Sequence, residues 1–249
     1  MSTDNILCDT SAGILTITLN RPEKKNALNK AMYERIMAAL GEAQNDDSIR
    51  VVLLKGQENC FTAGNDLGEF KSRKPDEMST GIRMLEILAR FEKPLVAAVG
   101  GIAIGIGTTM LLHCDLVYAA TQTRFRLPFV PLGLVPEGAS TLLIPAYAGH
   151  RRASELFMLG DFFGPRTALD AGIINAEIPA ELLFEHARAA AVKLASQPQL
   201  ALLETKRLMK QPTREQVLKT IQTENQIIGQ LVATPESQAA RKAAIRSKE

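Results

Sequence analysis

Leu95-Val-Ala-Ala-Val-Gly-Gly-Ile-Ala-Ile-Gly-Ile-Gly-Thr-Thr109 carries the main structural signal of the chain. Its first five residues follow Pro94 and form an apolar run that is typical of a buried strand. The four glycines that follow predict a turn, and a short helix is expected from Gly107 to His113. A strand, a glycine-rich turn and a helix in this order indicate an α/β protein whose ligand site lies beyond the carboxyl ends of its strands.

The segments on either side repeat this alternation of strand and helix. Period-two or continuous apolar runs predict strands at Leu15–Leu19, Val51–Leu54 and Leu116–Ala120. Apolar residues at three- and four-residue steps predict helices at Lys30–Ala43, after an Asn29 cap, and at Met84–Phe91. Strands that alternate with helices favour right-handed crossovers within one α/β domain.

The chain beyond Gly149 has a helical pattern apart from one β-like run at Gly172–Ile178. Thr213-Arg-Glu-Gln216 matches a capping box, and Pro235 suits the first position of a last helix. No Gly/Ser-rich linker separates the two parts. We therefore expect a core at residues 1–195 and a helical region at residues 196–249 that extends the same domain.

Composition excludes several classes of protein. Hydrophobic residues make up 46% of the 249 residues, enough for a large core. The 29 basic and 27 acidic residues are interspersed, which argues against a nucleic-acid-binding arm or a polybasic membrane anchor. The three cysteines and three histidines lack metal-ligand spacing, so no metal site is expected. These features, and the absence of a targeting pattern, predict a reducing, cytoplasmic location.

A second turn of small residues, Phe61-Thr-Ala-Gly-Asn-Asp-Leu67, follows another predicted strand. Loops at such strand ends leave N–H groups free, and glycine lets a ligand approach the backbone closely. One glycine-rich loop alone more often makes only a tight turn, but two together favour a binding site. The third glycine of a dinucleotide-binding fingerprint is missing, and Walker-type and G-x-S-x-G motifs are absent.

These residues resemble the crotonase, or enoyl-CoA hydratase/isomerase, superfamily from about Leu15 to about Ile245. The matching motifs are Asn20-Arg-Pro with Asn26-Ala-Leu28, Ala63-Gly-x-Asp66, the Gly101–Gly107 stretch leading to Cys114-Asp115, and Leu132-Gly133-Leu-x-Pro136. The resemblance implies the ClpP/crotonase-like spiral of strand-strand-helix units with a helical C-terminal trimerisation region. It also implies an acyl-CoA thioester substrate, no cofactor beyond it, and a homotrimer or dimer of trimers, with no nucleic-acid or membrane partner.

The same resemblance assigns a set of site residues. The backbone N–H groups of Ala63 and Ile106 are expected to form an oxyanion hole for the thioester oxygen. Lys24 is expected near the ADP phosphates. Independently of the resemblance, Asp66 is a residue type that caps helices and is expected to cap one after the turn. The remaining substrate-binding predictions are Ala27, Leu28, Gly64, Asn65, Leu67, Gly105 and Phe129.

The reaction depends on side chains that face the acyl group. Hydratase-like members use two glutamates, and the matching positions here hold Thr109 and Phe129. Glu137, in Pro136-Glu-Gly138, matches Δ3,Δ2-enoyl-CoA isomerases of the peroxisomal type, so we predict a single acid/base that converts a 3-enoyl-CoA into a 2-trans-enoyl-CoA. Glu137 could instead be an ordinary loop glutamate. Another crotonase reaction, such as hydration or thioester hydrolysis, and a non-catalytic acyl-CoA-binding scaffold remain alternatives.

Overall fold

The computed structural model of the protein describes residues 4–66, 68 and 78–246. Its strands are β1 (Ile6–Ser11), β2 (Ile14–Leu19), β3 (Val51–Lys55), β4 (Leu95–Val99), β5 (Ile102–Ile104), β6 (Leu116–Ala120), β7 (Arg124–Arg126), β8 (Phe162–Phe163) and β9 (Ala176–Ile178). Its helices are α1 (Lys30–Asn45), α2 (Thr80–Arg90), α3 (Ile106–Thr109), α4 (Ser140–Ser154), α5 (Pro165–Asp170), α6 (Leu183–Ala195), α7 (Gln199–Lys210), α8 (Arg214–Val232) and α9 (Pro235–Arg246).

The main sheet has the strand order β1-β2-β3-β4-β6-β9, antiparallel between β1 and β2 and parallel elsewhere. Alternate residues of β3 face opposite sides of this sheet. Val52 and Leu54 join the large core, whereas Val51 and Leu53 join the smaller core beneath α6. Both faces of the central strands are therefore covered, which explains why these strands read as continuous apolar runs.

A smaller sheet, with the order β5-β7-β8, lies beyond the carboxyl end of β4. Gly101 connects the two sheets at a φ of +65°, and a Cβ atom there would lie 1.7 Å from the Asn59 carbonyl oxygen. Only glycine fits this close approach. Because β5 leads directly into α3, this connection sets the position of the helix that begins at Ile106.

The C-terminal helices pack on the rest of the chain. α8 packs against α2 and α4, and α9 packs against the turn at residues 130–132, where the Ser237 hydroxyl donates to the Leu132 carbonyl. Each described helix is too short or too polar to span a bilayer.

The sequence predictions for the central elements are confirmed within a few residues, and Asn29 caps α1 by accepting from Met32 N at 2.9 Å. α2 begins four residues earlier than predicted because the Ser79 side chain accepts from Ile82 N. The capping box at Thr213 was wrong, since its side chain makes no capping hydrogen bond, although α8 does begin at Arg214. The helical pattern after Gly149 also concealed β8, a strand too short to show a period.

Candidate active site

The turn at residues 61–66 is attached to the smaller sheet through its main chain. Thr62 N donates to Ile102 O at 3.0 Å, and Ile104 N donates to Thr62 O at 3.1 Å. The same turn pairs with Leu28 on its other side, where Leu28 N donates to Gly64 O at 2.8 Å and Asp66 N donates to Leu28 O at 2.9 Å. These bonds fix the path of the 61–66 turn independently of most of its side chains.

The assignment of Ala63 to an oxyanion hole was wrong. Its N–H donates to the Lys25 carbonyl at 2.9 Å and is therefore not available to a ligand. Asn65 lies opposite Leu28 in a parallel bridge. The hydrogen bonds of this bridge join Leu28 to Gly64 and Asp66, so the N–H of Asn65 points away from Leu28. This N–H has no hydrogen-bond acceptor within the described residues.

The second N–H of the predicted pair, that of Ile106, lies at the start of α3. Ile106 is the first residue of α3, and first-turn N–H groups have no partner inside their own helix. The carbonyl of Gly105, at a φ of +58°, accepts from Thr108 N and Thr109 N instead. The Ile106 N–H is likewise without an acceptor in the part of the chain that the structure describes.

The two turns are in direct contact. A Cβ atom on Gly64, which has a φ of +88°, would lie 2.6 Å from Ile104 O, and one on Gly107 would lie 2.4 Å from Thr62 Cγ2. Glycine at both positions lets the backbone of the 61–66 turn approach the start of α3. The start of α3, which carries the Ile106 N–H, therefore lies beside the turn that carries the Asn65 N–H.

Glu137 lies on a turn formed by residues 136–140, and only 6% of its surface is exposed. Gly138 and Ala139 follow with φ values of +73° and +56°. A Cβ atom on Gly138 would lie 3.5 Å from Thr109 Cβ and 3.2 Å from a Leu85 methyl group. The 136–140 turn therefore packs against α3 and α2, and Glu137 is not a solvated surface glutamate.

His113 holds the 136–140 turn from the side of α3. Its Nε2 lies 2.9 Å from the Gly138 carbonyl oxygen, so Nε2 carries the donated proton. Burial, with the nearby Lys210 charge, lowers the pKa of His113 to about 3, although the hydrogen bond to Gly138 acts in the opposite direction. His113 is neutral at physiological pH and serves as a fixed donor to this turn.

The other predicted binding residues are distributed around these turns. Lys24 is exposed at the end of a 3-10 turn, Ala27 accepts from Arg21 Nη1 at 2.9 Å, and Leu28 is buried against the 61–66 turn. Phe129 is buried, 6% exposed, at the start of the turn at residues 130–132. Leu67 lies outside the described residues.

Asp66 is anchored by two donors. Arg21 Nη1 lies 2.8 Å from its Oδ2, and Gly68 N lies 3.0 Å from its Oδ1. Burial favours a higher pKa for Asp66, but the hydrogen bonds from Arg21 and Gly68 and the nearby positive charges outweigh burial, and the pKa is lowered. The bond from Gly68 suits a capping residue, but residues 69–77 lie outside the described part and the helix stays a prediction.

Three residues near the turns were not singled out from the sequence. The Tyr33 hydroxyl donates to Asn65 Oδ1 at 2.6 Å, and Arg21 joins Asp66 as described above. Glu224, in α8, accepts hydrogen bonds from the 136–140 turn and the residue that follows it. A signal for Glu224 was present, because it occupies a core position of α8 in the stripe Val217, Ile221 and Ile228.

Known proteins are similar to this chain over most of its length. The family model described as Enoyl-CoA hydratase/isomerase matches residues 9–248. The chain is 34% identical to the 2,3-dehydroadipyl-CoA hydratase of Escherichia coli strain K12, over 89% of this chain and 88% of that protein. It is 32% identical to human enoyl-CoA delta isomerase 2, over 86% of this chain and 56% of that protein.

Solved structures show the same fold. The structure titled Pseudomonas aeruginosa OdaA superposes with a TM-score of 0.94 at 42% identity, covering 98% of this chain and 99% of that one. The spiral arrangement implied by the sequence motifs is therefore confirmed.

Proposed function

Because the chain belongs to the enoyl-CoA hydratase/isomerase family, the crotonase superfamily, and is an acyl-CoA enzyme of that type, we propose that it isomerises a 3-enoyl-CoA to a 2-trans-enoyl-CoA. The observation that carries the proposal is the buried carboxyl group of Glu137, held on a turn against α3. Thr109 and Phe129, at the positions of the two hydratase glutamates, have no carboxylate to activate water.

The proposed reaction begins with the thioester oxygen bound by Asn65 N–H and Ile106 N–H. These donors stabilise the negative charge that develops on the oxygen and make the C2 proton acidic enough to be removed. Glu137 accepts that proton, which leaves a dienolate, and the same carboxyl group returns the proton at C4. The double bond then lies between C2 and C3, conjugated with the thioester, and no proton or electron is gained or lost overall.

Other residues supply binding in this proposal. The exposed Lys24 contributes positive charge for the phosphates of coenzyme A, and Ala27, Leu28, Gly64, Asp66, Gly105 and Phe129 form the walls near the thioester. The steps require only the substrate and groups of the protein. The cytoplasmic location and the two-part division at residue 195 stay predictions.

We also propose assembly into a homotrimer or a dimer of trimers. Exposed apolar side chains on α7, at Leu200, Leu208 and Met209, are consistent with a covered face in an oligomer. Sedimentation equilibrium gives the mass independently of shape, and a monomer at micromolar concentration would contradict this part of the proposal.

The test of the reaction supplies 3-enoyl-CoA to the wild-type protein and follows the ultraviolet absorbance of the conjugated 2-enoyl thioester. Glu137→Gln keeps the shape of the side chain but cannot accept a proton, so the rate should fall by about 10²- to 10⁴-fold. Binding of a saturated acyl-CoA, measured by calorimetry, should be retained. Glu181→Gln, which changes an exposed glutamate, is the control and should leave the rate unchanged.

The competing reaction is hydration, which the name of the relative from Escherichia coli favours. Assay in ¹⁸O-labelled water separates the two, because isomerisation incorporates no oxygen, whereas hydration gives a labelled 3-hydroxyacyl-CoA. Labelled product, or full activity of Glu137→Gln, would overturn the isomerase proposal. Tight binding of acyl-CoA without any product would favour the non-catalytic scaffold.

A further inference from the structure

We propose that Glu224 is a positioning residue, whose carboxylate reaches from α8 and holds the 136–140 turn in the conformation that presents Glu137 to the acyl group. This inference rests on the proposed function and deepens it. It gives α8, in the C-terminal helical region, a part in the chemistry of the site.

The contacts of Glu224 are short and all lie at this turn. Ala139 N donates to its Oε2 at 2.7 Å, while Thr141 N at 3.1 Å and Thr141 Oγ1 at 2.6 Å donate to its Oε1. Glu224 is 4% exposed, so these donors have no alternative in bulk water. Its carboxylate satisfies the N–H groups at the start of α4, where the N-cap residue Ala139 offers no side-chain oxygen.

The conformation of the turn explains why such an anchor is needed. Ala139 has a φ of +56°, a left-handed conformation that an alanine adopts only at an energetic cost. Surrounding groups must hold a strained residue in place, and Glu224 binds the N–H of Ala139 itself. His113 donates a hydrogen bond to the carbonyl of Gly138. The two residues after Glu137 are therefore each hydrogen-bonded to a side chain from a distant part of the sequence, Gly138 to His113 and Ala139 to Glu224.

The ionised form of Glu224 suits this role. All three of its hydrogen-bond partners in the described structure are donors, and only a carboxylate accepts from all of them without presenting a donor of its own. An amide at this position would direct its NH₂ group at one of the three donors. Glu224→Gln therefore keeps the size of the side chain and disrupts the grip on the turn.

The test compares Glu224→Gln with Glu215→Gln, which changes an exposed glutamate of the same helix. A displaced Glu137 should lower kcat by about 10- to 100-fold, since a shift of about 1 Å at a reacting group has effects of this size. KM should change little, because Asn65 and Ile106 still bind the thioester. Thr141→Val, a milder variant that removes one of the three donors, should lower kcat less and serves if Glu224→Gln does not fold.

Two further readouts separate positioning from general loss of stability. In the Glu137→Gln background, Glu224→Gln should have almost no additional effect on the residual rate, because it acts through Glu137. Hydrogen exchange of the Ala139 and Thr141 amides should become faster in Glu224→Gln and stay slow in Glu215→Gln. Equal kcat values in wild type and Glu224→Gln, or fully additive losses in the double variant, would overturn the proposal.

A failure of the proposed function gives a different result. In that case the wild-type protein does not isomerise 3-enoyl-CoA. The role of Glu224 is then tested in two ways. One is the rate at which the C2 protons of a saturated acyl-CoA exchange in D₂O, and the other is the rate of hydrogen exchange at the Ala139 and Thr141 amides. Unchanged amide protection and unchanged C2 exchange in Glu224→Gln would refute the positioning role independently.

Discussion

The 61–66 turn and the 136–140 turn both contribute to the candidate site, but they are held in different ways. The first is held mainly by hydrogen bonds between main-chain atoms, to Lys25, Leu28 and the smaller sheet. The second receives its anchors from side chains, His113 on one side and Glu224 on the other.

This difference separates a general function from a specific one. Main-chain bonds do not depend on side-chain identity, so the proposed donors for the thioester oxygen tolerate a branched residue such as Ile106. The turn that carries Glu137 is bound by two particular side chains, and we expect a change in either one to move the proposed acid/base without moving the proposed oxyanion donors. We infer that the reaction is set on the 136–140 turn and thioester binding on the 61–66 turn.

The largest expected effect that tests this separation comes from removing single N–H groups of the 61–66 turn. Incorporating the α-hydroxy acid counterpart of residue 65 replaces the N–H with an ester oxygen. Loss of one oxyanion donor should lower kcat by about 10²- to 10³-fold. The same replacement at Ala63 removes only the bond to Lys25, so it should reduce stability and largely preserve kcat.

Comparing the ester replacements at residues 63 and 65 can also contradict the prediction. A larger loss of kcat at residue 63 than at residue 65 would restore Ala63 as the donor and contradict the bonding to Lys25. Unfolding by urea, measured for both proteins, shows that each remains folded in the assay.

The next effect concerns the pH dependence of stability at the 136–140 turn. Burial raises the pKa of Glu224 from 4.5 to about 7, although its bonds from Thr141 and Ala139 act in the opposite direction. Between these two values the folded state holds a proton that the unfolded state has lost, so the free energy of unfolding falls as pH rises through this window. The contribution lost by about pH 8 is about 3 kcal/mol.

Urea unfolding of wild type and Glu224→Gln at about pH 5 and about pH 8 measures this contribution. The stability of wild type relative to the variant should fall between the two pH values. His113 stays neutral throughout, and the neighbouring carboxyl groups of Glu137, Glu86 on α2 and Glu236 on α9 are present in both proteins, so the comparison isolates residue 224. A difference that does not change with pH would show that Glu224 has no raised pKa. A fall would show that the ionised form, which the proposed grip uses, costs stability.

The sequence predicted most of this architecture, for physical reasons that are local. Buried strands such as Leu95–Val99 and the amphipathic helix after Asn29 show their periods and caps within a few residues. The glycines at 64, 101 and 107 lie where main-chain segments approach closely. The motifs that contain them occur along the chain in the order typical of the family. These features were sufficient to locate both turns and the carboxylate at Glu137.

The errors arose where a contact joins distant parts of the chain. The choice between Ala63 and Asn65 as donor depends on how the 61–66 turn pairs with Leu28 and Lys25, and no local pattern reports that register. The role of Glu224 depends on α8 packing near the start of α4. A glutamate in an apolar stripe indicated a buried partner for its charge, but not which turn supplied it.

The smallest effect should come from Thr62→Val in the 61–66 turn. The Thr62 hydroxyl is buried, donates to Asn26 O at 2.6 Å and accepts from Gly64 N at 3.0 Å. Its loss leaves a buried N–H without a partner and should lower the free energy of unfolding by about 2 kcal/mol. The main-chain bonds of the turn remain, so kcat should stay nearly unchanged, whereas Thr141→Val should lower it. A loss of kcat in Thr62→Val as large as that in Thr141→Val would mean that both turns depend on their side chains, and the proposed division between them would be wrong.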